Sequence, residues 1–114
     1  MKCGQRLNKR PHFSILYRHG VKVDTELFRI IYRENHLSRS RFAAVVNRKF
    51  GAAVRRNKAK RVARSLFDGI QKKLSPACDL LFFPKNAMLT QRHAALASDF
   101  ERVLKEADLF KGRP

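Results

Sequence analysis

Acidic residues are scarce in this chain: nine Asp and Glu stand against 26 Lys and Arg, a net charge of +17 over 114 residues. The nine are also dispersed, with helix-like pairs only at Asp99, Glu101, Glu106 and Asp108. Two-metal hydrolysis needs clustered carboxylates to hold the ions, so those four read as solvated helix charges and no metal site or catalytic residue is expected in the protein. Cysteine is nearly missing. Cys3 and Cys78 make neither a disulfide framework nor a zinc ligand set, which points to a reducing compartment, and each is too isolated to read as a nucleophile. The four histidines, His12, His19, His36 and His93, share no metal-ligand or triad spacing and read as surface residues or phosphate contacts. Long apolar runs are missing too. Leu80 to Pro84 falls far short of the roughly 20 residues that span a bilayer, and the N-terminus lacks the apolar stretch of a secretory signal. No internal repeat or low-complexity segment is visible. The expectation is a soluble, cytoplasmic protein with no membrane partner.

What the chain has in excess is segregated positive charge. Between Asn35 and Phe67 lie Arg39, Arg41, Arg48, Lys49, Arg55, Arg56, Lys58, Lys60, Arg61 and Arg64, with no acid among them. A second acid-free stretch, Met1 to Val23, carries Lys2, Arg6, Lys9, Arg10, Arg18 and Lys22. Charge of one sign gathered in this way is the footprint of a nucleic-acid partner. With 44% hydrophobic residues, nine of them Phe, the chain can still bury a core, and its length predicts a single domain over residues 1–114.

Periodicity places the charges on elements. Pro11 suits a first helical turn, and Phe13, Leu16 and Tyr17 follow at helical spacing, which predicts a short helix over His12 to Arg18 ended by Gly20. Val21 to Asp24, Leu27 to Arg33 and Arg41 to Asn47 read as strands, with a polar loop from Glu34 to Ser40. From Ala52 to Leu74 the period becomes helical, Ala59, Val62, Ala63, Leu66, Phe67, Ile70 and Leu74 forming the apolar stripe. Ser75 and Pro76 stop it, Asp79 to Phe83 reads as a strand, Pro84 to Leu89 as a loop, and Thr90 is placed to cap a last helix.

On the long helix, Asn57, Lys60, Arg61 and Arg64 fall on a stripe beside the apolar one. Cations one helical turn apart match the spacing of phosphates along a strand. Gly51, just ahead, lets a backbone come close to a ligand, and the free N–H groups of the first turn add a positive end. Asn57 has a second reading, as a cap or brace for the helix start.

Residues 46–64, VNRKFGAAVRRNKAKRVAR, strongly resemble the signature of the bacterial ribonuclease P protein subunit. In that family a strand ends in a small polar residue and two basic ones. A hydrophobe, Gly, an Ala-Val step and an Arg-Asn-Arg-x-Lys-Arg run then open a long helix. Asn47, Arg48, Lys49, Phe50, Gly51, Ala53, Val54, Arg56, Asn57, Lys58, Lys60, Arg61 and Arg64 stand at these places. Arg6, Lys9, Arg10, Phe13, Tyr17 and Gly20 resemble the family's N-terminal stretch. Two positions depart: Lys58 stands where Arg is frequent and lacks the guanidinium's fork, and Asn47 replaces Ser or Thr but still donates and accepts hydrogen bonds.

The resemblance implies a two-layer α/β (α+β) sandwich, a four-stranded sheet with a long basic helix and a left-handed βαβ crossover, as in the ribosomal protein S5 domain 2-like fold. It implies the accessory protein of an endoribonuclease that removes the 5′ leader of precursor tRNA and leaves a 5′ phosphate. The RNA subunit would carry the chemistry with Mg2+ at its own active site, and no cofactor would be held by the protein alone. Arg48, Lys49, Gly51, Arg55, Arg56, Asn57, Lys58, Lys60, Arg61 and Arg64 are then expected to dock the catalytic RNA. Arg10, Phe13, Tyr17, Arg18 and Tyr32 are expected to hold the leader, aromatic rings on a basic surface suiting unpaired nucleotides. Without the family, the helical spacing of Phe13 with Leu16 and Tyr17 reads as plain core ahead of a stacking site. The alternative from another class is a structural ribosomal RNA-binding protein. DNA fits less well, since no helix-turn-helix or zinc spacing is present.

Overall fold

The computed structural model describes residues 10–74 and 77–107. Lys2, Cys3, Arg6, Lys9, Ser75, Pro76 and Asp108, which enter the sequence reading, lie outside them. The elements run α1 (Arg10–His19), β1 (Val21–Asp24), β2 (Phe28–Glu34), β3 (Arg41–Ala44), α2 (Ala53–Ile70), β4 (Cys78–Pro84) and α3 (His93–Glu106). Short 3-10 turns occupy Arg48–Phe50, Gln71–Lys73 and Asn86–Thr90. The strands form one sheet in the order β1-β2-β4-β3, with β3 and β4 parallel and the other pairs antiparallel. The expected left-handed turn falls on the unit β3-α2-β4.

β4 is central and covered on both faces, which is why its sequence is an almost unbroken apolar run. Strand alternation sends Phe28, Ile30, Phe42, Leu80 and Phe82 to one face, where they meet Ala59, Ala63, Leu66, Phe67 and Ile70 of α2 and Leu96, Phe100, Val103 and Leu104 of α3. Five phenylalanines form the centre of this layer. Phe82 stacks on Phe28 at 5.0 Å and meets Phe100 edge-on at 5.5 Å, while Phe42 stacks on Phe67 at 4.6 Å. The other face buries Ile31 and Leu81 under Leu16 of α1.

Gly20 makes the turn from α1 into β1. Its N–H donates to the Leu16 carbonyl at 2.8 Å, and a Cβ there would lie 2.5 Å from both that oxygen and Ile31 Cγ2. Only glycine lets α1 sit this close to the sheet.

The structure alters several sequence-based expectations. β3 ends at Ala44 instead of Asn47: Val45 still donates to the Phe82 carbonyl at 2.8 Å, but the chain then leaves the sheet to reach α2. α2 gives way to a 3-10 turn after Ile70, short of Leu74. Pro84 closes β4, and Asn86–Thr90, expected to be loop, winds into a turn. Thr90 does not cap α3, whose preceding residue is Arg92; its hydroxyl donates instead to the Ala87 carbonyl, 2.8 Å away within its own turn.

Candidate nucleic-acid interface

The cations of residues 48–64 come together on the turn before α2 and on the side of α2 turned away from the core. Arg48, Lys49, Arg55, Lys58, Arg61 and Arg64 are exposed, and Arg56 and Lys60 are half-buried. Among the described residues, none of these eight is paired with a carboxylate; the ion pairs fall elsewhere, as in Lys73–Glu101, Lys85–Asp24 and Arg102–Asp99. Positive charge held close together without counter-charge repels itself and favours a polyanion. Val54, 80% exposed, projects from the same first turn.

Two members of this set do more than carry charge. Gly51 has φ 150°, a conformation glycine adopts readily, and its bare Cα leaves room for the Arg55 side chain, whose Cδ would lie 3.0 Å from an added Cβ. Arg55 lies over the Phe50 ring at 5.8 Å and donates from Nε to Asn86 Oδ1 at 3.1 Å. It braces the start of α2 against the turn after β4. Asn57, read alternatively as a cap, is the fifth residue of α2 and exposed; Ala52 occupies the cap position and supplies no side-chain bond.

A second surface lies on the α1 side of the sheet. Half-buried Phe13, Ala43, Val45 and Phe83 pack around Leu16, Ile31 and Leu81. Tyr17, 48% exposed, has its ring 6.3 Å from that of Phe83. Arg18, and Arg29 and Arg33 of β2, are exposed nearby in the fold. Arg10 opens α1. Tyr32 does not join this group. Alternation in β2 turns Ile31 and Arg33 toward α1 and Tyr32 to the opposite face, where it packs against the main core. Ile31, buried on the α1 side, has no mark of that place in the sequence, because a buried strand residue carries no sign of which face it serves.

No cluster of three His, Cys, Asp or Glu side chains suited to a metal ion exists among the described residues. Burial pushes the Cys78 thiol up to about 11, with Glu34 and Asp79 adding to the effect. Since the thiolate is the reactive form, Cys78 in a Cys3→Ser background should resist alkylation at pH 8 until the protein unfolds. The unfolded thiol ionises near its ordinary value while the folded one stays neutral, so stability should fall as pH rises from about 9 toward 11. Labelling rates and denaturation midpoints across that range check both.

A sequence model of the family Ribonuclease P matches residues 1–108. The chain belongs to the ribonuclease P protein family. It is 34% identical over 99 residues to the ribonuclease P protein component of Thermotoga maritima, covering 87% of this chain and 78% of that one. The solved RNase P protein of T. maritima superposes with a TM-score of 0.78 at 28% identity, over 89% of this chain and 96% of that one. That of Staphylococcus aureus gives 0.80 at 27%, over 94% and 98%. Family and fold thus agree with the expected ribonuclease P protein and its S5 domain 2-like sandwich, and the ribosomal alternative is not favoured. Among the described residues, no helix is long and apolar enough to cross a membrane.

Proposed function

We propose that the chain is a single-domain cytoplasmic subunit that binds the catalytic RNA of ribonuclease P and the 5′ leader of precursor tRNA. Hydrolysis, and the Mg2+ it uses, then belong to the RNA. The observation that carries the reading is the set of eight cations on α2 and the turn before it, none paired with a carboxylate among the described residues. Arg48, Lys49, Lys58, Lys60, Arg61 and Arg64 bind phosphates of the catalytic RNA, and Arg56 and Asn57 stand beside them. Gly51 and Arg55 hold the shape of that surface. The leader lies on Phe13, Tyr17 and the sheet face around Phe83, and Arg10 and Arg18 supply charge for its phosphates. Tyr32, on the other face, supports β2 from the core side.

Reconstitution tests this. Added to ribonuclease P RNA, the protein should lower the Mg2+ concentration needed to cleave precursor tRNA; an unchanged requirement would overturn the assignment. In that complex Phe13→Ala should narrow the affinity difference between precursor and mature tRNA by about fivefold or more, since stacking one base is worth about 1 to 3 kcal/mol.

A further inference from the structure

The N-terminal end of α1 is tied to the sheet by polar contacts that the RNA-docking surface does not use. Arg41 of β3 donates from Nε to Asp79 Oδ1 at 2.8 Å and from Nη2 to Oδ2 at 2.6 Å. Asn35 donates from Nδ2 to the same Oδ1 at 2.9 Å. The ion pair is nearly buried, its side chains 19% and 12% exposed. The remaining guanidinium nitrogen, Nη1, lies 3.3 Å from His12 Nε2 in α1. A guanidinium can only donate. His12 Nε2 therefore accepts, which requires a neutral ring.

We infer that Asp79, Arg41 and His12 are positioning residues for the leader surface: they fix α1 over the sheet through a hydrogen bond that exists only while His12 is unprotonated. The inference rests on the leader reading above. His12 and Leu16 are one turn apart and anchor α1 at two points, Arg41 and the Ile31–Leu81 floor. Phe13 and Tyr17 each follow an anchor by one residue, so their placement depends on both. When His12 gains a proton it faces Arg41 as a second cation. A cavity of about 200 Å³ beside it, lined by Ile15, Arg33, Glu34 and His36, gives the ring room to turn away. Among the described residues, the charged and titratable groups that line this cavity with His12 are Arg33, Glu34 and His36 from β2 and the segment after it, Arg41 from β3, and Asp79 from β4. A proton on His12 Nε2 removes the acceptor, so the tether is present while the ring is neutral and is lost as falling pH charges it.

The test is the affinity of the reconstituted complex for precursor and for mature tRNA from pH 5.5 to 8. Wild type, Phe13→Ala, His12→Gln and His12→Ala are compared. The precursor-to-mature ratio of wild type should fall several-fold as pH drops. His12→Gln keeps an amide oxygen within reach of Arg41 and does not titrate, so its ratio should stay high and flat. His12→Ala should be low throughout, near the wild-type value at pH 5.5, with affinity for the catalytic RNA unchanged. A flat wild-type profile, or a Gln variant that follows the wild-type curve, overturns the positioning role while Phe13→Ala still narrows the ratio. A Phe13→Ala variant with the wild-type ratio overturns the leader reading itself, and this inference with it.

Discussion

Replacing Arg61 and Arg64 together by Ala should lower the slope of log K against log salt for binding ribonuclease P RNA by about 1.4 to 1.8. Each phosphate neutralised by a side chain releases condensed counterions and adds roughly 0.7 to 0.9 to that slope. Both side chains are exposed, one turn apart on α2, and free of carboxylate partners among the described residues, so each can meet a phosphate without breaking an internal pair. Charge-assisted hydrogen bonds are worth about 1.5 kcal/mol or more each, which makes the double variant about a hundredfold weaker at physiological salt. Arg102→Ala is the control. Arg102 is also exposed, but it lies on α3 against Asp99 and Glu106, and its loss should leave slope and affinity where they were. A double variant with the wild-type slope would move the docking face off α2. Arg55→Ala should behave differently again, because Arg55 is bonded to Asn86 and covers Phe50: part of its effect should appear as a lowered melting temperature in the absence of RNA.

The parts of this surface legible in the sequence are those encoded by local spacing. Apolar residues from Ala59 to Ile70 repeat with the helical period, so the helix, its buried side and the cations beside it follow from the residues alone. The face of a strand residue is less accessible, since a shift of one position exchanges the two sides of the sheet. Tyr32, expected to hold the leader, packs on the main-core side of the sheet, while β2, Phe28–Glu34, lies within a residue at each end of the strand that the pattern predicts over Leu27 to Arg33. Contacts between residues far apart in sequence left no local mark. Arg41 and Asp79 are 38 positions apart, and Arg55 and Asn86 are 31. Arg41 read as one more cation of the acid-free block, and Asp79 as one scattered acid, until the sheet paired them. Thr90 shows the reverse error: a residue well suited to capping was satisfied by a nearer carbonyl.

Phe82→Ala should cost about 4 kcal/mol, within the range for removing a buried aromatic ring. Phe82 is fully buried and touches three other rings, Phe28, Phe42 and Phe100, so the strands and α3 cannot all close on the space it leaves. Domains of this kind have about 5 to 15 kcal/mol in total, and a net charge of +17 erodes that through self-repulsion. At low ionic strength the variant should therefore be largely unfolded by circular dichroism. Inorganic polyphosphate should refold it, because a polyanion bound by the native cation stripe and not by the dispersed chain stabilises by about 2.7 kcal/mol at a hundred times its dissociation constant. Combining Phe82→Ala with Arg61→Ala and Arg64→Ala separates specific binding from general screening. If polyphosphate acts through the stripe, the triple variant should need a markedly higher concentration to refold. If the polyanion only screens the +17 charge, the two midpoints should nearly coincide, and the stripe would then not be a preferred polyanion site. Phe83→Ala marks the other face. Its ring is half-buried beside Tyr17, so the loss of stability should be smaller than for Phe82→Ala and should come with weaker discrimination of precursor from mature tRNA.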